Sequence, residues 1–406
     1  MSVFISECKY RAFLVVKKIY RPIFFVNRSL CLFCLTILPN FVSYFNVGIA
    51  MDEIVARLFT WYDSHCRELP WRSTRNPYYI WVSEVILQQT RVAQGYDYFV
   101  RFIERFPSVE ALAEAPEDEV MRMWQGLGYY SRARNLHSAA KQVVAMGGFP
   151  ESYEGIRSLR GVGDYTAAAI ASFAFDIPKA AVDGNVCRVW SRVFGIDEPI
   201  DSARGKQMIT ELAQTLLPTA QVAKYNQAVM EFGALQCVPK NPDCAACPLA
   251  HKCIALAEGR VAQLPVKSHK TKVTPRYFSY LYIHSAEGLL LHKRMADDIW
   301  KNLYELPLIE TSAPVDATQL FALPEFGPWR ELMPHSTYKG EHGGVKHVLS
   351  HRILHASFHE LEVQDTALSC PEGFVVVPFT ELHRYALPRL VERYLTSRLS
   401  ADSPSF

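Results

Sequence analysis

The sequence predicts a multidomain protein: an all-α lobe over residues 51–263, a linker at 264–273 and an α+β domain over 274–406. Three observations carry this. Apolar residues recur at helical spacing from Met51 to about Phe232, no convincing strand interrupts them, and beyond Lys272 the pattern turns to period-two alternation. A chain of 406 residues, 49% hydrophobic and 21% charged, suits two or three globular domains and excludes disordered or collagen-like classes.

Residues 1–50 stand apart. They hold six Lys/Arg (Lys9, Arg11, Lys17, Lys18, Arg21 and Arg28) against one acid, Glu7, whereas the whole chain carries only +2. The stretch from Ile23 to Ala50 has the outline of a signal or anchor, but Asn27, Arg28, Pro39, Asn40 and Asn46 break the run of ~18–20 apolar residues that a membrane span needs. At Met51 an amphipathic pattern begins, with Ile54, Leu58 and Trp61 on one face and Asp52 and Glu53 in the first turn. The expectation is that the natural start is Met51 and that residues 1–50 are a non-native extension, with a targeting segment as the alternative. Residues 51–406 are then slightly acidic, so any nucleic acid must be held by placed groups and not by a basic whole.

The periodicity predicts helices near 51–66, 79–106, 109–125, 131–146, 164–175, 184–195, 204–217 and 221–233. In the second of these, Ile80, Glu84 and Leu87 are spaced i, i+4, i+7, which sets Glu84 on the apolar face. A buried carboxyl has a raised pKa and can remain a proton donor near neutrality, although an acid there can also be merely satisfied. Leu159-Arg160-Gly161-Val162-Gly163-Asp164-Tyr165-Thr166 is a tight glycine turn whose following helix points its first amides outward. An anion such as a DNA phosphate suits that place, and a plain helix connection is the alternative. Asp183, in Val182-Asp183-Gly184-Asn185-Val186, stands where a new helix begins, so amides and dipole favour its ionised form. One carboxyl pushed up and one pushed down is the arrangement that cleaves glycosidic bonds through an oxocarbenium-like state. Read alone, Asp183 is an ordinary N-cap before it is a functional carboxylate.

Cys237, Cys244, Cys247 and Cys253 crowd into seventeen residues as C-x6-C-x2-C-x5-C. The other six Cys are scattered, so metal is a better reading than disulfides. The single CxxC with a longer arm on each side suits a cubane iron–sulfur cluster more than paired zinc knuckles, with zinc and an inert loop as alternatives. Past the basic linker Leu264-Pro265-Val266-Lys267-Ser268-His269-Lys270-Thr271-Lys272, strands are expected at Tyr277–Ile283, Gly288–Lys293, Ile353–Leu361 and Phe374–Phe379. A closing helix is expected around Leu387–Leu399.

Six ordered motifs together resemble one family. Leu69-Pro70-Trp71-Arg72, Trp81-Val82-Ser83-Glu84-Val85-Ile86-Leu87-Gln88-Gln89-Thr90, Gly126-Leu127-Gly128-Tyr129-Tyr130-Ser131-Arg132, the LRGVGDYTA turn, VDGNVCRV and the four Cys are similar to those of the MutY adenine DNA glycosylases. These belong to the helix–hairpin–helix glycosylase superfamily, with endonuclease III. The resemblance runs from about Met51 to Tyr394.

It implies a helix–hairpin–helix domain with the hairpin at about 157–175, one [4Fe-4S] cluster on Cys237, Cys244, Cys247 and Cys253, and a Nudix-like C-terminal domain. It implies removal of adenine paired with 8-oxoguanine or guanine, with the base flipped out of duplex DNA. Glu84 would protonate adenine N7, Asp183 would stabilise the sugar cation, and Asn185 and Tyr165 would orient the pair. Arg67, Leu69, Trp71 and Glu231 match the adenine pocket. Gln89, Thr90, Leu127, Gly128, Tyr129, Gly161 and Gly163 match DNA-contacting positions, with Arg67, Arg72, Arg132, Arg134 and the Lys-rich linker as further DNA contacts. Tyr165 stands where bifunctional members carry the Lys that forms a Schiff base, so the expectation is a monofunctional, hydrolytic enzyme. The Nudix box REx2EExG is missing, so the C-terminal domain is expected to bind and not to hydrolyse. There Leu349-Ser350-His351 matches a Phe-Ser-His loop that probes 8-oxoguanine, with the intercalating aromatic replaced by Leu349. A monomer in the bacterial cytoplasm, acting at the nucleoid and not at a membrane, completes the expectation.

Overall fold

The computed structural model describes residues 38–268, 273–363 and 371–401, with side chains from Met51. Residues 1–37, with most of the proposed extension, and 269–272 of the Lys-rich linker lie outside the described residues. The first described helix is Leu38–His65, so helix runs through Met51 instead of starting there. Among the described residues no helix is long and apolar enough to cross a membrane.

The chain folds as two compact units, Met1–Gln88 with Ala145–Lys270 and Gln89–Val144 with Thr271–Phe406. The helical region 51–263 is thus divided, and its residues 89–144 fold with the C-terminal part.

In the first unit Ile54, Leu58 and Trp61 are buried as their spacing predicts, packing with Val189, Trp190, Ile209, Val229 and Phe232. Helix Pro77–Leu87 has proline at its first position, and the Asn76 side chain accepts from the Tyr78 and Tyr79 amides. It ends at Gln88, whose ψ of 115° leaves the helical region, and Gln89 follows in the left-handed region at φ 60°. The single expected helix 79–106 is therefore two, Pro77–Leu87 and Val92–Arg105. The expected helix 109–125 likewise divides into Val109–Glu114 and Glu117–Met123. Pro116 lies between them and has no amide to continue the first.

In the second unit, strands β1 (Thr274–His284), β2 (Gly288–Lys293), β3 (Tyr304–Glu305), β4 (Leu308–Thr311), β5 (Ser336–Val348), β6 (Arg352–Val363) and β7 (Phe374–Pro378) form one mixed sheet. Its order is β3-β2-β1-β6-β5, with β4 paired to β1 and β7 to β2. The central pair β1/β6 is parallel, from Thr274 opposite Arg352 to His284 opposite Glu362. Phe278, Tyr280, Tyr282 and Phe358 face helix Arg389–Ala401, where Tyr394 stacks on Phe358 at 3.8 Å. Leu281, Ile283, Leu290 and Leu361 are covered by Ala317–Ala322 and the 3₁₀ segment Pro324–His335. β5 has no counterpart among the strands read from the sequence. It is mostly exposed and interrupted by two irregularities near Gly340 and Gly343, so no apolar alternation marks it.

Candidate active site

Glu84 sits on Pro77–Leu87 at 6% exposure, among Ile80, Trp81, Val82, Val85 and Ile86. Tyr165, on the first turn of helix Asp164–Phe175, donates its phenolic hydrogen to Glu84 Oε2 at 2.5 Å. Burial pushes the Glu84 carboxyl up to about 7; the Tyr165 bond opposes this, and the charge of Asp183 adds to it. Glu84 is therefore a buried carboxyl whose surroundings favour its protonated form.

Asp183 caps helix Gly184–Val193, with Oδ1 accepting from the Val186 amide at 2.8 Å and Oδ2 from Asn185 Nδ2 at 2.7 Å. The cap was expected to push this carboxyl down, but its net direction is up. Burial and lost hydration outweigh the amide and Asn185 bonds that favour the charged form. The two acids thus differ in how well each charge is supported, and not in the sign of the shift. Asn185 is held in turn by Arg188, whose Nη2 donates to Asn185 Oδ1 at 2.8 Å and to Gly233 O at 2.6 Å, while Nε donates to Cys237 O at 2.8 Å. An arginine can only donate, so the Asn185 oxygen faces Arg188 and its amide hydrogens face Asp183.

Glu231 is buried on helix Val222–Leu235 and bracketed by two guanidinium groups. Arg67 donates from Nε at 2.7 Å, Nη2 at 2.5 Å and its backbone amide at 3.0 Å; Arg72 donates from Nη1 at 3.0 Å and Nη2 at 2.7 Å. Burial works to raise the Glu231 pKa, and the two arginines override it to hold the carboxyl at about 2. Trp71, within the 3₁₀ turn Pro70–Arg72, is buried beside them, and Leu69 caps that turn half-buried. The structure brings Arg67, Leu69, Trp71 and Glu231 into one neighbourhood.

The glycine turn joins Tyr153–Arg157 to Asp164–Phe175. Gly161 has φ +76°, a conformation side chains rarely adopt, and a Cβ on Gly163 would meet nothing within 4 Å. Both are exposed, leaving the first amides of the following helix clear.

Gln89 and Thr90 fall in the turn that opens the second unit. Tyr129 is 44% exposed at the tip of the loop Gly126–Tyr130, and its hydroxyl pairs with Ser350 Oγ on the β5–β6 turn. Gly128 shares this open loop, but Leu127 is buried, so its side chain is not offered to DNA. Leu349 is half-buried against the sheet core, and its amide donates to Arg352 O at 2.8 Å, whereas Ser350 and His351 are exposed. The arginines expected on DNA are engaged within the protein. Arg72 is locked to Glu231, Arg132 lies between the Trp124 and Tyr129 rings and donates to Gly128 O, and Arg134 donates to Lys301 O at 2.7 Å.

Cys237, Cys244, Cys247 and Cys253 are free thiols lining a single cavity with Phe232, Leu249 and Arg192. Buried Arg192 donates to Cys237 Sγ at 3.4 Å and to the carbonyls of Val238, Pro239 and Leu264. Among the described residues no three His, Cys, Asp or Glu side chains converge as for a single ion. Four thiols line one cavity beside a guanidinium that would offset the charge of metal-bound thiolates, a donor set that suits an iron–sulfur cluster. Sequence reasoning gave no role to Arg188 or Arg192. The signal was there, since two arginines one turn apart share the buried face of Gly184–Val193.

The family model described as HhH-GPD superfamily base excision DNA repair protein matches residues 82–218, and the NUDIX domain model matches residues 279–397. The adenine DNA glycosylase of Buchnera aphidicola subsp. Baizongia pistaciae (strain Bp) is 36% identical over 254 residues, 62% of this chain and 72% of its own. That of Homo sapiens is 41% identical over 233 residues, 54% of this chain and 43% of its own. Among solved structures, a thermostable thymine-DNA glycosylase is 29% identical with a TM-score of 0.49, covering 52% of this chain and 99% of that one.

Proposed function

The chain belongs to the adenine DNA glycosylase family, and on that premise we propose that it removes adenine mispaired with 8-oxoguanine or guanine, leaving an abasic site without cutting the strand. The carrying observation is a buried carboxyl held up to about 7, Glu84, whose charge is coupled to that of an N-capping carboxyl, Asp183.

Adenine enters the pocket flipped from the duplex. Glu84, still protonated in part at neutral pH, donates its proton to adenine N7. The base then departs as a neutral leaving group and not as an anion. As the glycosidic bond stretches, positive charge grows on the deoxyribose, and the Asp183 carboxylate stabilises it. Asn185, fixed by Arg188, keeps that carboxylate oriented. Glu84, now ionised, accepts a proton from the attacking water. Tyr165 holds Glu84 through its phenol and has no amine to form a Schiff base, which supports hydrolysis without lyase chemistry. The Arg67–Glu231–Arg72 cluster supplies fixed hydrogen-bonding edges for the base.

The cysteines of the 237–253 loop would hold a [4Fe-4S] cluster, which when bound cross-links that loop and is capable of one-electron chemistry. In the second unit, Tyr129 would fill the hole left by the flipped base, and Ser350 and His351 would read the opposite base. The protein acts as a monomer on duplex DNA in the cytoplasm. The test is alkali-revealed cleavage of an A:8-oxoguanine duplex by the wild type and Asp183→Asn. The wild type is expected to give strand breaks only after alkali and the variant almost none; equal activity removes this mechanism.

A further inference from the structure

Within the second unit the loop that carries Tyr129 is stiff in itself. Gly126 and Gly128 turn the chain with φ of 94° and 73°, which glycine adopts freely, but Tyr129 stands at φ 48°, a conformation a side-chain-bearing residue keeps only where its surroundings hold it. Those surroundings are present: Trp124 Nε1 donates to Gly128 O at 3.2 Å, Arg132 Nη2 to the same carbonyl at 3.2 Å, and Tyr98 OH to Gln125 O at 2.7 Å. A Cβ on Gly126 would lie 2.4 Å from the Tyr98 hydroxyl and at φ +94°, so a side chain there would displace Tyr98 and strain the backbone. A rigid loop has its tip placed by whatever holds its root.

The root is held by Gln125. Its side-chain oxygen accepts from the Leu387 amide at 3.1 Å, in the segment leading into helix Arg389–Ala401. A backbone amide only donates, so the oxygen and not the NH₂ group of Gln125 faces it. Arg122 Nη1 donates to the same oxygen at 3.4 Å, and its Nε donates to His383 O. At the far end of the loop Tyr129 meets Ser350, on the turn between β5 and β6. The flanking helices have attachments of their own: Asp118 pairs with Lys293 and accepts from Tyr304 OH, Glu117 accepts from Asn302, and Arg134 donates to Lys301 O. These hold the helices to the sheet whether or not Gln125 is present.

We propose that Gln125 is a positioning residue for discrimination of the opposite base: by fixing the loop root to Leu387 it sets the placement of Tyr129 against Ser350. The proposal rests on the reading that Ser350 and His351 contact that base. 8-Oxoguanine and guanine differ only at C8 and N7, by one oxygen and the position of one hydrogen, so telling them apart depends more on close placement of the groups that read them than does the bond-breaking step at the two acids.

The experiment compares single-turnover adenine excision from A:8-oxoguanine and A:G duplexes by full-length Gln125→Met and Gln125→Glu, with melting temperatures. Gln125→Met is expected to lose about tenfold on A:8-oxoguanine, the scale of one positioning hydrogen bond, and less than about twofold on A:G. Gln125→Glu retains the acceptor and restores the preference. Equal loss on both substrates, no loss on either, or failure of Glu to rescue overturns the proposal. Should Gln125→Met not fold, Gln125→Asn, one methylene too short to reach Leu387, carries the same expectation. The double variant Ser350→Ala, His351→Ala separates the two readings. If it keeps the preference for 8-oxoguanine, the assignment of the β5–β6 turn falls; if it loses that preference while Gln125→Met keeps it, only the role of Gln125 falls.

Discussion

The phenol of Tyr165 donates to Glu84 Oε2 at 2.5 Å and ties the buried helix Pro77–Leu87 to the helix that begins after the glycine turn. A donor on a carboxylate favours the charged form, so this bond pulls the Glu84 pKa down against the burial that pushes it up. Tyr165→Phe removes the opposing influence. The alkaline limb of the single-turnover pH profile, set by loss of the Glu84 proton, is expected to move to higher pH. The plateau should fall by about tenfold as the carboxyl loses its orientation. An unmoved limb with an unchanged plateau would show that Glu84 is not the acid that limits the reaction.

The same carboxyl leaves a mark on stability. Its folded pKa of about 7 lies above the ordinary 4.5. The folded state therefore binds more protons than the unfolded one between those values, and stability falls as pH rises through that window. The stabilisation is complete below about 4.5 and lost above about 7. Glu84→Gln, neutral throughout, is expected to be inactive yet more stable than the wild type at pH 8 by about 2 to 3 kcal/mol, with the difference shrinking toward pH 5. Urea melts at three pH values measure it, and parallel curves for the two proteins would contradict the assignment.

Most of the helical unit was legible because its chemistry is local. Ile54, Leu58 and Trp61 declared a buried face by spacing, and Glu84 an acid among apolar neighbours. Two kinds of information were missing. Backbone breaks such as the left-handed Gln89 have weak propensity signals, so two helices read as one. Strand β5 exposes most of its side chains, so it reads as loop although it pairs along most of β6. Pairings across long stretches of chain were invisible as well: nothing near Arg72 in sequence says that its partner is Glu231, 159 residues away. The direction of the Asp183 shift lies outside local sequence for a related reason, since the cap is a local feature but the depth of burial is a property of the assembled fold.

Both Glu231 oxygens are satisfied by guanidinium groups, and the carboxyl is held at about 2 against an ordinary 4.5. A depressed acid stabilises the fold above its unfolded pKa, and the contribution disappears as pH drops from about 4.5 to 2. Glu231→Ala leaves two arginines facing each other in a half-buried site, an expected loss of about 3 to 5 kcal/mol at neutral pH, as for a broken buried pair. Glu231→Gln keeps the shape and should cost less, while weakening adenine binding. Thermal melts of both variants decide it. Equal stability of Glu231→Ala and wild type would mean the cluster is not held as described.

The cysteine loop is tied to helix Gly184–Val193 by Arg192. Arg192 reaches it through Nη1 to Cys237 Sγ and Val238 O, Nη2 to Pro239 O, and Nε to Leu264 O. Arg192→Met conserves much of the stem but leaves three carbonyls without their donor, at a cost of about 1 to 3 kcal/mol each where water cannot replace it. The same change removes the cation facing the thiolates that would bind the cluster. Arg192→Met is therefore expected to purify with less than about half the wild-type iron and a paler yellow-brown colour, since metal affinity depends on groups around the ligands. Cys247→Ser should lose the colour outright. Metal analysis by mass spectrometry together with the visible spectrum reads both. A colourless wild-type protein with one zinc per chain would replace the cluster with a single ion, and full iron in Arg192→Met would reduce Arg192 to a purely structural tie.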